Sequence, residues 1–441
     1  MSLFRTLLFA LVALLFTSGP LSAQTLRIYH IDVEQADAAL VVMPNGKTLL
    51  IDSGKNNHGS RIRAAMQQAG VTQIDVFVVS HYHEDHFGGI DDLVDAGVPV
   101  LESFDRGDKE CCLTPAKKAE PAFKGYMRTV GEDARRLAHG DAITLDPLVT
   151  IAAISSGGVV VGETNPVTGH DENDMSVSLL ITFAGFKAFF GGDVEAPTEA
   201  KIAALDAVTN VDLYKANHHG SHSSSSQAFM GDLRPSVVVI SNGSHGGHKH
   251  PRQVTLNTYA ALATPPVVFQ TNRCNEVAPC ANVANAFIAD PESTDQDGTI
   301  LVTVDATTSN YTVRYGTNTV RTFVIKAPSA PVVSTTAGIV IESVLPNPVG
   351  DDEELEEVTL RNKGAAVISL VGWTLQDRSG ATWNLTGALA PGEARTSRRS
   401  GQAMSLNNAG DEVVLVDAED VERDRFEYSA TGEGTIIKTL H

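Results

Sequence analysis

Positive charge is scarce in this 441-residue chain: 33 lysines and arginines stand against 53 aspartates and glutamates, a formal net charge of −20. Affinity for a phosphate backbone comes mainly from Lys and Arg, so this balance excludes a passive nucleic-acid binder, and no stable nucleic-acid complex is expected. A nuclease is not excluded, because bound cations invert the local field of an active site. Cysteine is nearly absent, with 4 residues, Cys111, Cys112, Cys274 and Cys280. None stands in metal-ligand spacing with a histidine, which leaves no cysteine-ligated zinc motif. In an oxidising compartment Cys274 and Cys280, which close a short loop around Pro279, are the first pair expected. Cys111 and Cys112 are adjacent and offer alternative bridges to that loop. Fixed-period repeats are missing. No base is placed against any serine in the manner of a triad, and Ser223–Ser226 reads as a loop.

Long apolar runs are confined to the N-terminus. Arg5, the apolar stretch Leu7–Phe16, the Gly19-Pro20 break and the small residue Ala23 have the layout of a signal peptide over 1–23. The expected mature chain is therefore secreted, periplasmic or cell-surface, begins near Gln24 and has no transmembrane span. Composition beyond that is ordinary for a globular protein, with 42% hydrophobic and 20% charged residues. Short β-rich runs at Leu26–Asp32, Ala38–Met43 and Thr48–Ile51 precede a helical pattern over Ser60–Ala69 that stops at Gly70. Ile74–Val79, apolar but for Asp75, reads as a strand buried on both faces. Further strands are expected at Val149–Ile154, Ser176–Phe183, Lys187–Phe190 and Val237–Ile240, with a helix over Pro197–Ala207. Residues 327–336 (APSAPVVSTT) read as a linker. From 337 to 441 the pattern is short strands and turns with a net charge of about −9 by residue count, as in an all-β sandwich.

The chemistry is concentrated in Ser80-His81-Tyr82-His83-Glu84-Asp85-His86, directly after the buried run. Alternate residues of an extended chain share a face, so His81 and His83 can grip one ion. Asp85 and His86 then turn toward a second. Imidazole and carboxylate are the ligands of catalytic zinc. Gly88-Gly89 lets the backbone turn into the next helix. Gly191-Gly192-Asp193 follows another strand, and Lys215-Ala216-Asn217-His218-His219-Gly220-Ser221 a third. His58 and His139 lie outside any motif.

His-x-His-x-Asp-His after an apolar strand resembles the hallmark of the metallo-β-lactamase superfamily. The segments His30–Ala38 and Leu50–Gly54 are similar to those of the soluble hydrolase domain of ComEC-type competence proteins, and to the phosphorylcholine esterase module of pneumococcal surface proteins. Glu34 and Ala36 replace the glycines usual in the competence family. The resemblance covers about residues 25–326. It implies an α+β chain: a metallo-β-lactamase αββα sandwich over 24–326, then an immunoglobulin-like sandwich over 337–441. It implies that His81, His83, Asp85, His86, Asp193 and His219 hold one or two Zn²⁺ ions, with Asp193 bridging. His218 is a further metal candidate, or a residue facing substrate. The family's usual third histidine for the first metal is replaced by Asn173-Asp174, and His170 is nearby; all three are lesser ligand candidates. That substitution opens the first site to Mn²⁺. Asp52 is expected to orient a ligand histidine. His248 and His250, in a His-x-His-Pro element, are candidate catalytic groups for protonating a leaving group or holding a phosphate oxygen. Over 337–441, Leu345-Pro346-Asn347-Pro348, Gly372-Trp373-Thr374-Leu375 and Asn407-Asn408-Ala409-Gly410-Asp411 resemble a lamin-tail domain, which implies attachment to a cell surface or polymer.

The reaction implied is hydrolysis by metal-bound hydroxide, with Asp85 and Asp193 at its centre and a phosphodiester of nucleic acid or cell-wall polymer as substrate. The alternatives are a lactamase or lactonase, and a cell-surface binding protein whose hydrolase domain is secondary.

Overall fold

The computed structural model describes residues 25–109, 113–167, 171–205, 207–244, 247–276, 280–292, 298–316, 319–326, 338–350, 352–364, 368–418, 421–430 and 432–439. The expected signal peptide, the linker 327–336, Cys111, Cys112 and His170 lie outside the described residues. The chain divides into two compact units, one ending at Ala327 and the other beginning at Pro328.

The first unit is two mixed sheets packed face to face. One runs, in spatial order, Thr319–Val324, Asn310–Tyr315, Ile300–Asp305, Thr25–His30, Ala39–Val42, Thr48–Ile51, Ile74–Val78, Val100–Asp105 and Arg135–Arg136. Pairing is antiparallel as far as Thr48–Ile51 and parallel beyond it. The other is parallel from Ile288–Asp290 through Val267–Asn272, Val237–Ile240 and Leu213–Lys215 to Phe186–Phe190. It continues antiparallel through Ser178–Phe183, Val149–Ser156 and Ala142–Ile143.

Period-two alternation explains the layers. Leu26, Ile28, Val41, Leu49, Val76 and Val78 of the first sheet meet Ile181, Ala188, Leu213, Val237, Val239 and Phe269 of the second in one buried core. The intervening Tyr29, Leu40, Leu50 and Phe77 face the helices Gly59–Ala69 and Ile90–Asp95. Phe189, Tyr214, Val238 and Ile240 face the helices Ala196–Ala204 and Gln227–Leu233 on the opposite side. Both sheet faces are thus covered, which is why Val237–Ile240 is a run of four apolar residues without polar alternation. Gly70 closes the first helix in a left-handed conformation, φ 72°. The second outer helix ends at Ala204, earlier than Ala207, because Leu205 leaves helical geometry. Cys274 and Cys280 are bonded to each other.

At one level the inward rows of four strands change from apolar to polar: His30 after Ile28, Ser80 after Val78, Lys215 after Leu213, and Ser241 after Val239. All four polar residues are buried. The functional cluster forms there, in the seam between the sheets.

The second unit is all-β. One sheet orders Ala394–Arg398, Glu357–Asn362, Ile339–Leu345 and Ile437–Lys438; another orders Thr382–Asn384, Thr374–Asp377, Gly410–Val416 and Glu422–Ser429. Its separate core includes Trp373, Trp383, Leu375, Leu360 and Leu415. Among the described residues no helix is long and apolar enough to cross a membrane.

Candidate metal centre

The apolar strand Ile74–Val78 delivers Ser80 and the histidine loop to the seam, and the short helix Glu84–Phe87 carries Asp85 and His86. His81 Nε2 and His83 Nδ1 are 2.9 Å apart. His81 and His86 are fully buried, and His83 is half-buried. Ser80 Oγ touches the Nδ1 atoms of both His81 (3.1 Å) and His86 (3.2 Å), so one hydroxyl sets two rings.

Asp193 enters from the second sheet. Phe186–Phe190 ends in Gly191-Gly192, and Gly192 has φ +61°. A Cβ there would lie 2.8 Å from both Ser80 Cβ and Ser176 Oγ, so only glycine brings the two sheets this close. The Asp193 Oδ2 atom then stands among four histidines: 3.3 Å from His86 Nε2, 3.6 Å from His219 Nε2, and 3.9 Å from both His81 Nε2 and His218 Nε2.

His218 and His219 are adjacent, and in an extended chain their rings would diverge. Both are left-handed instead, with φ 47° and 52°. That conformation costs roughly 1–2 kcal/mol for each residue. It turns both rings toward Asp193. His219 Nδ1 lies 3.0 Å from the Ser241 carbonyl oxygen, which leaves Nε2 facing Asp85 Oδ2 at 3.4 Å. His218 Nδ1 lies 3.1 Å from Glu195 Oε1. His86 Nδ1 lies 2.8 Å from Asp52 Oδ2, the orienting contact expected of Asp52.

Burial and charge oppose each other across this cluster. Burial lowers the His86 pKa, but Asp193 and Asp52 outweigh it and hold the ring well above the ordinary histidine range. Burial raises Asp193, yet His86, His219 and His218 pull it well below the usual carboxylate range. Asp85 is likewise raised by burial and lowered further by His219 and His86. His81 is pushed far down by burial and by its neighbours His86 and His83. Burial lowers His218, and Asp193 and Glu195 more than restore it, so its pKa is raised.

The residues fit a divalent cation. His86 Nε2, His219 Nε2 and Asp193 Oδ1 are buried and make no well-directed hydrogen bond. Donor atoms of Asp37, His86, Asp193 and His219 lie within 4.8 Å of one another. Buried polar atoms are ordinarily paired, and a set of unpaired imidazole and carboxylate atoms at one point is the donor set that zinc takes.

The other candidates fall at varying distances from this centre. His250 is buried with its ring stacked on His219, 6.4 Å between centroids, and edge-on to His218 at 5.3 Å. Burial, then the charges of His219 and His218, pull its pKa down to about 2, which makes it a poor proton donor near neutrality. His248 is exposed, its ring 6.1 Å from that of His250. Of the two, His250 is the one placed beside the paired histidines of the cluster. Asn173 is buried and donates to Glu195 Oε1 at 3.2 Å, while its own Oδ1 has no partner. Asp174 is turned away from the histidines: its Oδ1 accepts from Thr198 Oγ1 and from the Glu195 backbone N–H, because it anchors the start of the helix Ala196–Ala204. Its donor atoms lie with those of Asp171 and Glu195, all within 4.8 Å of one another. Asp37, Glu195 and Lys215 were not singled out for roles in the sequence. Glu195 stands two residues after Asp193, Asp37 lies just before the strand Ala39–Val42, and Lys215 ends the strand Leu213–Lys215; that placement was the available signal.

Comparison with known proteins agrees with this geometry. Residues 31–241 match the model of the metallo-beta-lactamase superfamily and residues 332–430 that of the lamin tail domain. Residues 31–241 thus form a metallo-beta-lactamase superfamily domain, and a lamin tail domain follows it. Among individual proteins, the chain is 27% identical over 253 residues to Recombination protein 2 of Haemophilus influenzae, covering 56% of this chain and 28% of that one. It is 23% identical over 246 residues to ComE operon protein 3 of Bacillus subtilis, covering 51% of this chain and 29% of that one. It is 27% identical over 128 residues to Ribonuclease Z of Mycolicibacterium gilvum, covering 29% of this chain and 43% of that one. The chain thus spans less than half the length of each of these relatives.

Proposed function

We propose that this protein is an exported phosphodiesterase that works with two zinc ions. The observation that carries the reading is the position of Asp193 Oδ2, which lies 3.3–3.9 Å from ring nitrogens of His86, His219, His81 and His218. His81, His83, Asp193 and His218 would hold one ion, His218 taking the place of the histidine that Asn173-Asp174 replaces. Asp85, His86, Asp193 and His219 would hold the second. A divalent pair supplies Lewis acidity and activates water near neutral pH, and it suits the in-line displacement at a phosphodiester.

The remaining residues orient this set. Asp52 and Ser80 fix His86, the Ser241 carbonyl fixes His219, and Glu195 fixes His218, itself held by Ser223 Oγ at 2.8 Å. Glu195 and Asn173 form the wall beside His218, where a leaving group would depart. The name of the mycobacterial relative, a ribonuclease, supports phosphodiester chemistry. The signal-like N-terminus supports export.

The test is metal analysis of the purified full chain, with assays on bis-p-nitrophenyl phosphate and nitrocefin, and Asp193→Ala as control. Turnover of the phosphodiester alone, abolished by Asp193→Ala, is expected. Turnover of nitrocefin alone would move the assignment to lactam hydrolysis. Absence of bound metal would overturn the reading.

A further inference from the structure

Lys215 and Asp37 form a buried ion pair directly behind His219. Lys215 ends the strand Leu213–Lys215 with 4% exposure, and Asp37 is also 4% exposed. The ammonium contacts Asp37 Oδ2. That same oxygen is 3.7 Å from His219 Nδ1, while Asp37 Oδ1 is buried with no partner. Asp37 therefore stands in the donor cluster with His86, Asp193 and His219, with a lysine ammonium in contact.

Three metal-facing histidines have a carboxylate behind Nδ1, at graded distances. Asp52 is 2.8 Å from His86, Glu195 is 3.1 Å from His218, and Asp37 is 3.7 Å from His219. A carboxylate behind a ligand histidine raises its basicity and its hold on a cation. At His219 the Ser241 carbonyl oxygen takes the nearer position, 3.0 Å from Nδ1, and the Lys215 ammonium holds the carboxylate.

We propose that Lys215 sets the cation affinity of the Asp85–His86–His219–Asp193 site by neutralising Asp37 and holding it off His219. In this proposal Asp37 and Lys215 act as positioning residues, outside the ligand set of Asp85, His86, His219 and Asp193. The pair is electrically neutral as seen from the site. Removing the lysine leaves a bare carboxylate facing His219, which attracts a cation. Removing the carboxylate leaves a bare ammonium, which repels one. Removing both restores neutrality. This inference rests on the metal-hydrolase reading above.

The test is a charge cycle on the full chain: Lys215→Met, Asp37→Asn and the double variant, with Lys215→Arg as the conservative rescue. Zn²⁺ affinity is measured by competition with a chromophoric chelator, and the Co²⁺-substituted absorption spectrum reports the ligand set. Lys215→Met is expected to bind Zn²⁺ about tenfold more tightly, and Asp37→Asn about tenfold more weakly, the lower end of effects seen for groups behind metal ligands. The double variant and Lys215→Arg return to wild-type affinity, with an unchanged Co²⁺ spectrum. A double variant as weak as Asp37→Asn, with an altered spectrum, would show that Asp37 ligates the ion directly and overturns the proposal. Equal affinity in all variants overturns it too. Should Lys215→Met fail to fold, because a buried carboxylate is left unpaired, the comparison of Asp37→Asn with the double variant still decides. Wild-type protein that binds no Zn²⁺ defeats the metal-hydrolase reading itself, a result distinct from each of these.

Discussion

Asp52→Asn tests whether the metal centre depends on groups that never touch an ion. Asp52 is buried, and both its oxygens are committed: Oδ1 accepts the Ser80 backbone N–H at 2.7 Å, and Oδ2 meets Ser80 Oγ at 2.9 Å and His86 Nδ1 at 2.8 Å. Asparagine offers one acceptor where two are needed. If its oxygen keeps the Ser80 contact, its NH₂ group opposes the His86 Nδ1–H. If the amide flips, the NH₂ opposes the Ser80 N–H. A buried donor facing a donor costs about 1–3 kcal/mol. The cheapest relief is a change of His86 tautomer, which moves the proton from Nδ1 to Nε2. That nitrogen is 3.3 Å from Asp193 and, once protonated, it can no longer ligate. The expected loss in Zn²⁺ affinity is about 10- to 100-fold, or about 1.4–2.7 kcal/mol at 1.36 kcal/mol for each factor of ten. Chelator competition measures the affinity, and the ¹⁵N shifts of the His86 ring report the tautomer. Affinity within about twofold of wild type, or a ring still protonated at Nδ1, would refute the reasoning, since the mechanism requires a tautomer penalty of this order.

Two further outcomes are expected. His30 is fully buried with both ring nitrogens unpaired, stacked on Phe190 at 5.6 Å, and burial followed by the charge of Lys215 lowers its pKa to about 3. Between the unfolded value of about 6.5 and that folded value, only the unfolded chain takes up the proton. Stability is therefore complete above pH 6.5 and falls on acidification by about 1.4 kcal/mol for each pH unit. His30→Leu should remove that part of the slope in urea unfolding between about pH 6 and pH 4; parallel slopes for the two proteins would contradict the assignment. Gly192→Ala places a methyl group 2.8 Å from Ser80 Cβ in a left-handed residue, so it should cost about 1–3 kcal/mol. It should also lower metal occupancy, because Ser80 sets the rings of His81 and His86; a variant with wild-type melting temperature and full occupancy would show that the close approach of the sheets is unnecessary.

Much of the centre was legible because its first half is local. His81, His83, Asp85 and His86 come from one loop, and the apolar run before it marks the strand that delivers them. Asp193 and His219 were legible through their glycines: Gly191-Gly192 and Gly220 mark tight backbone next to a polar residue. The strands with strong alternation or continuous apolar runs, such as Thr48–Ile51 and Val237–Ile240, were legible for the same physical reason. What stayed hidden depends on pairings between distant residues. Ile300–Asp305 returns to pair with Thr25–His30, Thr25 opposite Asp305, and no local pattern states that register. The helices at Pro115–Ala119 and Pro121–Tyr126 are too short for a helical period to stand out.

The orienting residues were hidden for a different reason. Asp37, Glu195 and Lys215 are ordinary charged residues until the fold buries them. Their partners are 182, 23 and 178 positions away in sequence (His219, His218 and Asp37), and only the seam brings them together. Yet the seam itself follows from alternation. A row of inward residues is apolar while it packs in the core between the sheets, and turns polar where it reaches a site. His30, Ser80, Lys215 and Ser241 occupy that turning point on four strands. A polar residue of this kind on one strand is a packing exception; four at one level are a site. The ligands can be read from a motif, but the charges that tune them are found only by aligning the strands at the level where their inward rows cease to be apolar.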